Sequence, residues 1–157
     1  MEERELPAPT ISHVICTAGL VSLIIVMPFF YAIVVNNIDA EMMKRELREI
    51  TDYVSNTIAN LYFLVNSTDY LDVSLEKELV YLPSAVEDSL YVVEIVESGG
   101  NASKIAAYLK YRSSIAVDSW LAPGLKVGAE NYIESGRIVV AGCSRDGMDV
   151  YAWIRYG

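Results

Sequence analysis

Histidine is nearly absent from this chain of 157 residues: the single one is His13, and cysteine occurs only at positions 16 and 143. A Ser-His-Asp or Cys-His arrangement would have to be built on that one imidazole, at the edge of a long apolar run. The same scarcity leaves no recognised zinc or iron ligand spacing. Cys16 lies inside the apolar run and Cys143 near the C-terminus, so the pair reads as separate small apolar packing residues rather than a disulfide. No GxxxxGK phosphate loop or GxGxxG fingerprint exists, and Ser144-Arg145-Asp146-Gly147-Met148-Asp149 holds too few ligands for an EF-hand-like calcium loop. Positive charge is short as well. Twelve Lys and Arg face 21 Asp and Glu, for a net charge of −9. Binding to nucleic acid needs concentrated cations, so it is not expected. No cofactor and no metal are expected either.

What is abundant is apolar residues, at 53% of the chain. From Leu6 to Ile38 there is no Asp, Glu, Lys or Arg. The stretch from His13 to Val35 is long enough to cross about 30 Å of hydrocarbon. It is longer than a secretory signal core and opens on Glu2-Glu3-Arg4-Glu5 rather than a basic start, so it reads as a retained anchor. The lipid-facing residues are expected to include Val14, Ile15, Leu20, Leu23, Ile24, Pro28, Phe29, Phe30 and Val34. Pro28 removes one helical hydrogen bond and is expected to kink the span. Lys44, Arg45 and Arg48 follow the span closely while Arg4 stands alone before it; by the positive-inside rule this count places the large domain in the cytoplasm. Two glycosylation acceptor triplets, at Asn66 and Asn101, point the other way.

Beyond the span the pattern becomes amphipathic. Met43, Leu47, Ile50, Val54, Ile58, Leu61 and Val65 alternate at spacings of four and three, which puts them on one helical stripe. Asn36-Asn37 is a candidate break between span and stripe, and Glu41 to Arg45 a candidate ion pair one turn apart. The stripe is expected to pack on the chain's own sheet near Val54–Val65, while Met42–Ile50, with fewer internal options, is the better candidate for contact with another subunit.

Asn66-Ser67-Thr68-Asp69 ends the helix, and the apolar period then becomes alternating. Strands are expected at Lys77–Leu82, Ser89–Glu97, Ser103–Val117, Arg137–Ala141 and Met148–Arg155, the longest with a bulge or bend near Arg112-Ser113-Ser114. Ser98-Gly99-Gly100-Asn101 and Arg145-Asp146-Gly147 read as hairpin connections. The chain thus divides into a polar tail (1–9), a transmembrane helix (10–36), an amphipathic helix (37–66) and a strand-rich domain (70–157). The fold class is α+β, a long helix followed by a small antiparallel sheet or sandwich.

Glu87-Asp88 and Glu94 with Glu97 are the carboxylate pairs a glycosidase-like hydrolase would require, although an acidic domain supplies such pairs by chance, and solvent-facing positions are the simpler reading. The layout of a short polar start, an apolar helix beginning Thr10-Ile11-Ser12-His13-Val14-Ile15, a continuing amphipathic helix and a β-domain resembles archaeal type IV pilin-like proteins and archaellum accessory proteins. The segment from Leu82-Pro83-Ser84-Ala85-Val86 to Leu90-Tyr91-Val92-Val93-Glu94-Ile95 looks like the strand-turn-strand that follows the helix in some of them. The resemblance implies a non-enzymatic, single-pass surface component with the β-domain outside the cell. It would be partnered by lipid and by pilin-like or surface-layer proteins in a homo- or hetero-oligomer. It also implies processing before the apolar run, for which Ala8 is the candidate, although the acidic start departs from the basic one of pilin precursors. The alternative from the residues alone is a membrane-tethered binding or sensor module facing the cytoplasm.

Overall fold

The computed structural model describes residues 8–157, with side chains from Ser12 onward. The polar tail before Ala8 lies outside the described residues. Helix α1 spans Ala8–Asn66, 59 residues without interruption. The chain divides into two units, the first ending at Ala40 and the second running Glu41–Gly157.

In the first unit nearly all the described apolar side chains of the helix stay exposed. The polar side chains there are satisfied within the helix: the Thr17 hydroxyl donates to the His13 carbonyl at 2.8 Å and that of Ser22 to the Ala18 carbonyl at 2.9 Å. Such back-bonding lets a hydroxyl sit in an apolar medium at low cost. Asn36-Asn37, a candidate break, lies inside continuous helix. Asn is only a mild helix disfavourer, so its local hydrogen bonding does not outweigh the ladder on both sides.

The second unit is a β-domain packed on the C-terminal part of α1. Strands β1 (Asp72–Glu78), β7 (Val139–Asp146), β8 (Asp149–Tyr156) and β5 (Leu125–Val127) form one four-stranded sheet in the order β1-β7-β8-β5. The second sheet has the order β4-β3-β2-β6, from β2 (Tyr91–Ser98), β3 (Asn101–Leu109), β4 (Arg112–Trp120) and β6 (Tyr132–Glu134). All pairings are antiparallel except β5 with β8. The fold is therefore α+β, as the patterning implies.

The core lies where the helical stripe meets the inward faces of these sheets. Leu47, Val54, Ile58 and Val65 are fully buried, as are Ile105, Ala107 and Leu109 on β3 and Ala141, Cys143, Ala152 and Ile154 on β7 and β8. Burying one such aliphatic side chain contributes on the order of 1.5–3 kcal/mol. Two polar contacts fix the helix against both sheets: the Cys143 thiol reaches the Ile58 carbonyl at 3.6 Å, and the Ser55 hydroxyl donates to the Trp120 carbonyl at 2.8 Å.

Several strand boundaries differ from the expected ones. The first strand starts at Asp72, and Leu79–Leu82 forms a turn closed by the Leu82 amide on the Leu79 carbonyl. The expected strand Ser103–Val117 is two strands reversing at Lys110-Tyr111, and a register shift on β4 between the partners of Leu109 and Tyr108 spans the position expected to bulge. The strand expected at Arg137–Ala141 runs on to Asp146. Both Gly-containing hairpins are present, with Gly99, Gly100 and Gly147 at positive φ.

Candidate functional site

Two kinds of surface offer themselves. The first is the apolar cylinder of the first unit. Val14, Ile15, Leu20, Leu23, Ile24, Phe29, Phe30 and Val34 are 53–68% exposed, and Pro28 is exposed among them inside the helix. Mean hydropathy reaches 2.5 with none of the window buried, so this helix is a candidate membrane span. Such a surface favours a hydrocarbon solvent on every face.

Two of the three basic residues after the span make local ion pairs. Lys44 contacts Glu41 at 2.9 Å and Arg45 contacts Glu49 at 3.6 Å, in place of the expected Glu41–Arg45 pair. Both are exposed and worth about 0–1 kcal/mol each. Met43, Leu47 and Ile50, on the segment expected to face another subunit, are instead buried within the second unit, as are Val54, Ile58 and Leu61. Near Ile50 the groove-lining neighbours include Tyr81 and Pro83, which lie between β1 and β2 rather than in a strand.

The two acceptor asparagines are both exposed. Asn66 is the last helical residue, with the Thr68 hydroxyl turned back to the Val65 carbonyl at 2.7 Å. Asn101 opens β3 directly after the Gly99-Gly100 turn, and the Ser103 hydroxyl donates to the Val96 carbonyl at 3.0 Å. Among the described residues none of the four paired carboxylates, Glu87, Asp88, Glu94 and Glu97, makes an ion pair. Glu87 and Asp88 occupy a tight turn closed by two hydrogen bonds between Val86 and Ser89, both at positive φ (43° and 61°). Glu94 stands between Ala106 and Tyr132 in the sheet register, while Glu97 faces Ala102 beyond an irregularity. Among the described residues no three His, Cys, Asp or Glu side chains converge as metal ligands.

The domain's outward faces carry features that the sequence pattern does not reveal. On one sheet Glu134 accepts from Lys110 at 2.7 Å and from the Tyr132 hydroxyl at 3.0 Å, so its carboxyl is held below the usual range, chiefly by Lys110. On the other, the Trp153 indole lies across Gly142, where any Cβ would collide with the ring, and the Arg155 guanidinium stacks on that indole at 4.6 Å while pairing with Glu76 at 2.9 Å. Beside the helix is an open groove of about 610 Å³ lined by Glu46, Glu49, Ile50, Tyr53, Tyr81 and Pro83. The Tyr53 and Tyr81 rings meet edge to face, with centroids 6.0 Å apart at 72°. The helical spacing of Glu46, Glu49 and Tyr53 would have placed them on one face; Tyr81 joins them only through the turn at Leu79–Leu82. Comparison of the chain with family models, with curated proteins and with solved structures finds no match in any of the three.

Proposed function

We propose that the chain is a non-enzymatic, membrane-anchored structural or assembly component of an archaeal pilus-like or archaellum-like surface system, with its β-domain outside the cell. The observation that carries this reading is the change of character along α1: apolar on every exposed face from Val14 to Val34, and a single buried stripe from Met43 to Val65. That construction supports a helix that holds a folded domain at a bilayer. If extracted, the same helix would serve as a filament-core element through lateral packing of apolar faces. The outward sheet faces, carrying Trp120, Tyr108 and Tyr132, would then be available to neighbours in the assembly.

A second reading, a tethered binding or sensor module in the cytoplasm, is favoured by Lys44, Arg45 and Arg48 just after the span. Orientation separates the two. Protease treatment of right-side-out vesicles, with N-terminal sequencing and glycan analysis at Asn66 and Asn101, tests the first reading. Cleavage of the domain, with a chain starting near Pro9 or a glycan at either Asn, is the expected result. A protected domain with an intact acidic start and bare asparagines would transfer the proposal to the cytoplasmic module.

A further inference from the structure

We infer that the groove between Glu46, Glu49, Tyr53 and Tyr81 is a docking site for a cationic side chain, arginine or lysine, presented by a partner protein. Its shape and its charge point to the same occupant. Two tyrosine rings set at 72° make the walls of a corner, and Ile50 and Pro83 supply apolar surface suited to an aliphatic stem. Glu46 and Glu49 stand on the helix at its rim. Ring faces attract cations through their quadrupole, and carboxylates at the rim add a Coulomb term and hydrogen-bond acceptors.

Little within the chain competes for these groups. Tyr81 is 84% exposed and the neighbouring Val80 is 69% exposed, a large apolar surface with nothing described over it. Glu49 has only the long 3.6 Å contact to Arg45, both side chains being more than two-thirds exposed, and Glu46 makes no ion pair among the described residues. By contrast, Lys104, Lys110, Lys126 and Arg155 are all engaged with carboxylates at 2.6–2.9 Å. The groove is thus a place in the domain where carboxylates and aromatic rings converge, with the long Arg45–Glu49 contact the one ion pair to its carboxylates among the described residues. Its fit to a cation does not depend on which side of the membrane the domain occupies.

The test uses the full chain in lipid nanodiscs, titrated with the peptide acetyl-Gly-Arg-Gly-amide and with the same peptide carrying neutral citrulline in place of arginine. Chemical shifts of the Tyr53 and Tyr81 rings and the Ile50 methyl are followed. The expected result is saturable shifts confined to these residues with the arginine peptide, weakened about tenfold or more by citrulline and by Glu46→Gln with Glu49→Gln, since both the cation and its counter-charges are needed. Tyr81→Phe should retain binding because the ring face is kept, whereas Tyr81→Ala should weaken it. Glu97→Gln, an exposed acid elsewhere, should change nothing. Equal shifts with the citrulline peptide, shifts indifferent to the two Glu substitutions, or no saturable shift at the groove would each overturn the assignment.

Discussion

Ile24 and Ile58 lie on the same helix, yet the first is 68% exposed and the second fully buried. Around Ile24 the run from Leu20 to Val35 is apolar apart from Ser22 and the Tyr31 hydroxyl, and nearly all of it is exposed. Around Ile58 they recur at fours and threes, and the opposite face carries Asp52, Asn56 and Asn60, all exposed. The backbone is the same in both halves; what differs is the angular spread of apolar side chains. A full circle suits a hydrocarbon solvent, and a stripe suits a protein core.

Aspartate placed at each isoleucine tests that contrast most severely. Ile58→Asp would bury a carboxylate beside Cys143 and Val54 with no cation to pair it, costing about 3–5 kcal/mol or more and abolishing the domain's cooperative melting by circular dichroism. Ile24→Asp should leave that melting transition in place and cost about 2.5–3.5 kcal/mol of membrane insertion, read by flotation with liposomes. Next in size is Gly142→Ala, which sets a methyl against the Trp153 indole and should destabilise the domain by about 1–3 kcal/mol. The same change in a Trp153→Ala background should cost less, because the clash is gone.

Burial pushes the Cys143 thiol from an ordinary value of 9.0 up to about 12, and the Tyr91 phenol from 10.0 to about 12. Both favour their protonated form in the fold. Their contribution is therefore full below the unfolded values and is lost as pH rises from about 9 toward 12. Thermal melts across that window should show falling stability, and Cys143→Ala should make the fall shallower. The smallest effect has the opposite sign: Asp88→Gly removes the cost of holding an L-residue at φ 61° and should raise stability by about 0.5–1 kcal/mol, measured by urea unfolding.

The helical half of the fold was legible because its signals are long. Every residue expected on the packing stripe is buried, and repeated periodicity over six turns leaves little room for error. The glycine hairpins were legible for the reason that Gly99, Gly100 and Gly147 adopt positive φ. The reversal at Lys110-Tyr111 was not, because neither residue is a turn former, and the apolar alternation reads straight through it. Strand β1 was placed late because Asp72-Val73-Ser74-Leu75-Glu76 shows only two apolar positions among charges, at a sheet edge where such charges are tolerated. The stacking of Trp153 on Gly142 and the groove at Tyr81 depend on residues brought together from distant positions, which no local pattern encodes.

The most direct test of the two-solvent helix is site-directed spin labelling of the full chain in liposomes. A single label is moved along positions 14–65 in a background with both cysteines replaced by alanine. Collision with oxygen and with a water-soluble nickel chelate is then measured. The expected result is oxygen access without nickel access at every position from 14 to 34, and from 43 to 65 a helical periodicity in which the stripe positions are hidden from both. Nickel access throughout 14–34 would contradict the membrane-anchored account.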